Sequence, residues 1–334
     1  MPGPDGPRPV DEFEAIARLL RPLAEGAPEA LGLTDDAAVI PARPGFDLIV
    51  SKDALVEGVH FLADDALDLV ARKLIRVNLS DLAAKGAEPY AYLLAAAWPG
   101  RCGWDERALF VKGLAQDQAA FGLKLLGGDT SSTPGPLTLS LTILGWTPAG
   151  AMVRRSGAKP GDRVLVSGTI GDGWLGLQAA QGALAGLDAD AVAWLAERYR
   201  LPQPRVALAD VLRAAASAAA DISDGLVADA GHIAQASGVA LTLELDRLPL
   251  SAAAAAWLAR QSDRSAALAS LAVGGDDYEL VLTAPEAAAR RLTAEAARLG
   301  VRLTDLGKVS AGEGVRVEVA GRDVELSRTG WRHG

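Results

Sequence analysis

Residues 147–162, TPAGAMVRRSGAKPGD, decide how the chain is divided. They place Pro148, Gly150, Gly157, Pro160 and Gly161 between two regions of regular apolar spacing, and breakers clustered in this way mark a connection rather than an element. A boundary near residue 150 follows, with one domain over residues 11–149 and a second over 150–334. Ahead of both, residues 1–10 are rich in Pro and Gly and lack the basic start and apolar core of an export signal, so they read as a disordered tail.

On the N-terminal side of the boundary, residues 13–23 have helical spacing. Short apolar runs at 47–50, 90–97, 123–126 and 137–146 read as strands, alternating with helical patterns around 67–77 and 108–121. Beyond the boundary, a strand at 163–166 is followed by helices through 216. Strand and helix then alternate again, with strands at 219–222, 240–245, 279–283, 302–309 and 315–319. The expected class is α/β (α+β type) in two domains.

Half of the 334 residues are apolar, enough for a substantial core in each domain. The 33 basic and 42 acidic residues leave a net charge of -9, which argues against nucleic acid or an anionic membrane surface as the main partner. No apolar run approaches the roughly 18 residues needed to span a bilayer, so a soluble protein is expected. Cys102 is the single cysteine; it excludes an internal disulfide framework and a cysteine-held zinc, and fits a reducing cytoplasm. An acidic chain can still bind polyphosphates when metal cations stand between its carboxylates and the ligand.

The carboxylates are placed for that. Asp36 in TDDAAVI, Asp53 in SKDALVEGVHF, Asp81 in NLSDLAAKGA, Asp129 in GGDTSS, and Asp221 and Asp224 in DISDGL each stand where an apolar run gives way to small residues. Strand ends are where α/β folds gather ligands, and magnesium is usually held by a few carboxylates together with substrate phosphates. Each aspartate also has a bland reading. Asp81 and Asp224 taken alone read as helix N-caps, and Gly127, Gly128, Asp129 and Thr130 read as a glycine turn that could also cradle a phosphate. Of the histidines, His60 stands seven residues after Asp53, where a lone His is more often structural; His232, in the helical pattern after Asp224, reads as packing or solvated and His333 as terminal.

The run Gly171, Asp172, Gly173, Trp174, Leu175, Gly176 matches GxGxxG after a strand. A dinucleotide fold needs a second strand ending in an acidic residue about 20 positions on; residues 190–199 are helical in pattern instead, and the glycines read as turn residues. No GxxxxGK[ST] occurs, so any ATP is bound without a Walker-type loop.

Taken together, TDDAAVI, LVEGVHF, VNLSDLAAKGAEP, GGDTSSTPG, RRSGAKPGD, ADISDGLVADAGHIA, GGDDYELVLT and the terminal GWRH resemble the thiamine-monophosphate kinase family of the aminoimidazole ribonucleotide synthetase superfamily, nearly end to end. The resemblance implies that fold: an N-terminal sheet domain that dimerises and a C-terminal α/β domain. It implies ATP and thiamine monophosphate as substrates of a direct phosphoryl transfer, with several magnesium ions and a homodimer. Asp36, Ser51, Asp53, Asp81, Asp129, Asp221 and Asp224 would hold the metal; Gly128, Asp129, Arg155 and Ser223 would contact ATP; His60, Asp276 and Trp331 would face thiamine monophosphate. Asp129, Arg155 and Asp224 would carry the catalysis. The nucleophile is a phosphate oxygen already ionised near neutral pH, so charge neutralisation and alignment are required rather than a strong base.

Departures from the family pattern lie at Lys52 for the usual Thr, Lys85 for Met, Thr34 for Gly and Asp276 for Glu. If residues 51–53 form a strand, Lys52 faces away from Ser51 and Asp53; otherwise its ammonium could take the place of one metal ion. Aminoimidazole ribonucleotide synthetase, a kinase for another phosphorylated metabolite, and a non-catalytic nucleotide-binding protein on the same scaffold are the competing readings.

Overall fold

The computed structural model describes residues 10–326 and 328–331. The expected tail, apart from Val10, lies outside the described residues, as do Arg332 and His333. The chain divides into two units, Met1–Leu79 with Pro89–Ala149, and Ser80–Glu88 with Gly150–Gly334.

The first unit begins with α1 (Glu12–Ala15), where an unbroken helix over 13–23 is expected. A π-turn at Ile16–Leu20 and a tighter turn at Arg21–Ala24 follow, because Pro22 has no amide with which to continue an α-helical ladder. Then come β1 (Phe46–Val56), α2 (Leu67–Ala84), β2 (Glu88–Pro99), α3 (Trp104–Phe121), β3 (Leu125–Thr133) and β4 (Thr138–Pro148). The sheet order is β1-β4-β2-β3, with β1 antiparallel to β4 and β2 parallel to β3.

Helix α3 starts where the Glu106 carboxylate accepts the Gly103 amide, and stops at Gly122, whose φ of 66° ends the helical ladder. A side chain at Gly113 would meet the Asp68 carbonyl at 2.2 Å, so α2 and α3 touch through backbone there. Buried Asp117 on α3 accepts from Arg76 at 2.6 Å and Arg72 at 3.0 Å, and a pair so placed is satisfied without solvent.

The second unit contains β5 (Asp162–Ser167), α4 (Asp172–Ala180), α5 (Ala189–Arg200), α6 (Ala209–Ala215), β6 (Ala218–Ile222), α7 (Leu226–Ser237), β7 (Ala240–Glu244), α8 (Ala252–Leu258), α9 (Arg264–Val273), β8 (Glu279–Pro285), α10 (Glu286–Arg298), β9 (Leu303–Ser310), β10 (Gly314–Val319) and the short β11 (Arg322–Asp323). Their order is β11-β10-β7-β9-β5-β8-β6, antiparallel except for β10 beside β7. Both faces are covered. Val164, Val166, Ala218 and Ala220 pack with Leu175, Ile233 and Leu271, whereas Leu165, Ala219, Leu280 and Leu282 pack with Leu212 and Leu292. This is why β5, β6 and β8 are unbroken apolar runs rather than alternating ones. No helix among the described residues is long and apolar enough to cross a membrane.

A glutamate is among the groups buried inside this core. Glu279 on β8 is fully buried and accepts from Ser167 Oγ at 2.6 Å and Arg205 Nε at 2.6 Å, with Arg198 at 3.4 Å. Gln in its place removes the charge and leaves two half-buried guanidinium groups facing a neutral amide. The Glu279→Gln variant is expected to lose about 3 kcal/mol of unfolding free energy, read by denaturant titration.

Candidate active site

In the first unit, Ser51 and Asp53 are half-buried on one face of β1, and Lys52 is exposed on the other. Of the two alternatives the sequence leaves for Lys52, this is the one in which it faces away. The Asp53 amide donates to Oδ1 of fully buried Asn78 at 3.0 Å, and Asn78 Nδ2 donates to the Leu74 carbonyl at 2.8 Å, so α2 fixes the strand at that residue. His60 Nδ1 accepts from the Val56 amide at 3.0 Å, which leaves the ring proton on Nε2. The His60 carbonyl accepts from buried Lys73 at 3.0 Å, so the ring's position is set from both ends.

The GGDT segment is a strand, not a turn. Gly128 stands opposite Leu94 in the parallel pair β2 and β3, and a side chain there would lie 1.7 Å from the Leu94 carbonyl. The glycine is required for the two strands to approach, and it leaves Asp129 exposed beside it. Asp36 is exposed in a bend where its amide donates to the Asp35 carboxylate at 2.8 Å. Asp36, Gly128 and Asp129 border one cavity of about 430 Å³ whose walls include Ile16, Leu20 and Leu125.

In the second unit neither Asp81 nor Asp224 is an N-cap. Asp81 lies in the last turn of α2, where a carboxylate opposes the helix dipole and gains from a cation. Asp224 precedes Gly225, which starts α7 at a φ of 123° without any side-chain cap. The carboxylate that does bind this turn is Asp229, which sequence reasoning missed: buried, it accepts the amides of Ser223 at 3.0 Å and Asp224 at 3.1 Å. Burial, then the charge of Asp224, pushes the Asp229 carboxyl up to about 7, against the pull of those two amides. Asp221, next to last in β6, is 5 % exposed.

Backbone hydrogen bonds join the remaining candidates to this turn. The Asp276 amide donates to the Ser223 carbonyl at 2.9 Å, the Tyr278 amide to Ile222 at 2.8 Å, and the Trp331 amide to Asp224 at 2.9 Å. Trp331 is 54 % exposed, so its ring faces outward rather than into the core. Asp276 has a φ of 70°, a left-handed conformation uncommon outside glycine, held by these bonds. Exposed Arg155 lies on a loop whose Gly157 and Ala158 amides donate to Ser237 Oγ at 3.1 and 3.2 Å.

The GxGxxG segment does not have the geometry of a dinucleotide-binding turn. Gly171 occupies the turn before α4 with a φ of 90°, but Gly173 and Gly176 are inside the helix, not in a turn. Side chains on them would meet the Asp276 carbonyl at 2.2 Å and the Leu195 carbonyl at 2.3 Å. The amides of Gly171 and Gly173, which in a dinucleotide fold face a pyrophosphate, donate to the Asp277 carboxylate at 2.8 and 2.9 Å. The protein's own carboxyl group occupies that place. Burial raises the Asp277 carboxyl well above the usual range; the sequence singles out its segment, GGDDYELVLT, but assigns this residue no role.

Metal fits the donor set. Among the described residues, Asp224, Asp229 and His232 offer ligand atoms within 4.8 Å of one another, and the other candidates are carboxylates or a hydroxyl, the hard oxygens magnesium prefers.

The pattern of the AIR synthase related protein N-terminal domain matches residues 34–147, and that of the corresponding C-terminal domain residues 159–320. The thiamine-monophosphate kinase of Caulobacter vibrioides is 56 % identical over 98 % of this chain and 92 % of that protein. The chain belongs to the thiamine-monophosphate kinase family. The crystal structure of thiamine-monophosphate kinase from Stenotrophomonas maltophilia K279a, 38 % identical, covers 94 % of this chain and 98 % of its own with a TM-score of 0.82. A structure described as AaThiL complexed with AMPPCP and TMP, 29 % identical, covers 97 % and 99 % with a TM-score of 0.76. The two-domain AIR synthase-like fold of thiamine-monophosphate kinases is therefore the fold of this chain.

Proposed function

We infer that the chain catalyses ATP-dependent phosphorylation of thiamine monophosphate to thiamine diphosphate. The observation that carries this reading is the convergence on one turn: Ser223, Asp224, Asp276 and Trp331 are tied together by backbone hydrogen bonds. The relative in complex with an ATP analogue and TMP supports the same pair of substrates.

In the reaction, the bond between the γ-phosphorus and the bridging oxygen of ATP breaks, a bond forms to a phosphate oxygen of thiamine monophosphate, and ADP leaves. Asp36, Ser51, Asp53, Asp81, Asp129, Asp221 and Asp224 would hold magnesium, which when bound neutralises the phosphates of both substrates. The Arg155 guanidinium, exposed on its pinned loop, adds a fixed positive charge for the transferring group. Gly128 and Ser223 would contact ATP, and the 430 Å³ cavity beside Asp36 and Asp129 has apolar walls suited to a base and an acidic border suited to metal-bound phosphates. Trp331 would stack on a ring of thiamine, with Asp276 and the Nε2–H of His60 orienting the substrate. Removing divalent ions with a chelator is expected to abolish formation of thiamine diphosphate, and adding back excess magnesium to restore it. Turnover that survives chelation would sink the metal assignment.

The sheet of the first unit supports a homodimer. Its edge strand β1 exposes Leu48 and Val50, the latter at 56 %, in a row that water does not favour. Sedimentation is expected to give about twice the 34.4 kDa of one chain; a single-chain mass would reject this.

A further inference from the structure

Lys85 follows the end of α2, one turn beyond Asp81, and its side chain does not run out into water. The Nζ donates to the Ala219 carbonyl at 2.9 Å. Ala219 lies on β6, an edge strand whose one neighbour in the sheet is β8, and two residues before Asp221. The same residue's amide donates to the Arg154 carbonyl at 2.9 Å, and the Val153 amide donates to the Lys85 carbonyl at 3.1 Å. Three segments are thus tied together around Lys85, and each carries a residue of the proposed site: Asp81, Arg155 and Asp221.

Burial, then the charge of Arg155, pushes the Lys85 ammonium down to about 8, against the opposing charges of Asp221 and Asp81. A lysine whose only task were to guard a sheet edge would extend into solvent, where its charge is cheapest. Here it is half-buried, spends one of its three donors on a backbone carbonyl, and stands where the charges of two candidate metal-holding carboxylates act on it. Lys52, the basic residue that the sequence sets directly between two candidate ligands, faces the other side of its strand.

We propose that Lys85 is a resident cation of the site that carries Asp81 and Asp221, neutralising part of their charge and thereby weakening magnesium binding to that pair. This rests on the metal reading given above. Fixed charge in the protein would then replace part of the divalent charge needed to bring two phosphates together.

Calorimetric titration of magnesium chloride into the protein, alone and with the non-hydrolysable analogue AMPPCP, tests this without any turnover. Lys85→Met is expected to bind magnesium about tenfold more tightly than the unsubstituted chain, Lys85→Arg to follow the unsubstituted chain, and Asp81→Asn to bind more weakly. Thermal midpoints check folding, and Lys85→Gln, which keeps a donor for Ala219, carries the comparison if the Met variant does not fold. Unchanged magnesium affinity in Lys85→Met, with Asp81→Asn weakened, overturns the role of Lys85 and leaves the metal site standing. Unchanged affinity in both overturns the metal reading at Asp81 and the proposal with it.

Discussion

Asp129→Asn loses about two to three orders of magnitude in kcat and melts at the temperature of the unsubstituted chain. The stability half of this expectation follows from its position. Asp129 is exposed on β3, and surface substitutions without buried partners change stability by only about 0.5 kcal/mol. Asn preserves the size of the side chain and removes its charge. In a reaction between two polyanions, a charge that holds a cation against the phosphates acts mainly on the transition state, and loss of one such group costs about 10²–10³ in rate. A variant that keeps full activity would remove Asp129 from the site; one that unfolds would make it a structural residue.

Gly173→Ala raises the KM for thiamine monophosphate about tenfold and lowers the thermal midpoint by several degrees, with the KM for ATP moved far less. The new methyl group would lie 2.2 Å from the Asp276 carbonyl and 2.8 Å from the Asp277 amide, both backbone atoms that cannot swing aside. Relief requires moving the segment that carries Asp276, already at an unfavourable φ, and breaking the Gly173 amide's bond to Asp277. Overpacking of this kind costs about 1–3 kcal/mol. Steady-state kinetics with each substrate varied in turn separates the two KM values. Equal changes in both would mean that the glycine serves helix packing alone.

How far the sequence could be read depends on whether a residue's partner is close along the chain. The strands of the second unit are legible because both faces of that sheet are covered, so β5, β6 and β8 appear as short apolar runs. The second half of β1 is not, since Ser51, Lys52 and Asp53 break the apolar run although they alternate in and out as a strand should. Helix α2 likewise continues through Asn78, Ser80 and Asp81, polar residues that suggest an end; Asn78 and Ser80 are fully buried, and Asn78 hydrogen-bonds to β1.

The site divides in the same way. Its candidate aspartates announce themselves by standing among small residues, but the groups that position them do not. Asp277 meets Gly171 and Gly173 across 106 and 104 residues, and Lys85 meets Ala219 across 134. Asp229 is only five residues from Asp224, a spacing that belongs to no common capping pattern, so its hold on that turn emerges only when the chain is folded.

The central claim is that the γ-phosphoryl group passes directly from ATP to the phosphate of thiamine monophosphate. Phosphorus NMR of the protein incubated with both substrates and magnesium tests it most directly, because the two coupled phosphorus atoms of thiamine diphosphate are distinct from those of monophosphate, ADP and free phosphate. The expected result is one thiamine diphosphate for each ADP formed, with no free phosphate. ADP accompanied by free phosphate, with thiamine monophosphate unchanged, would contradict it.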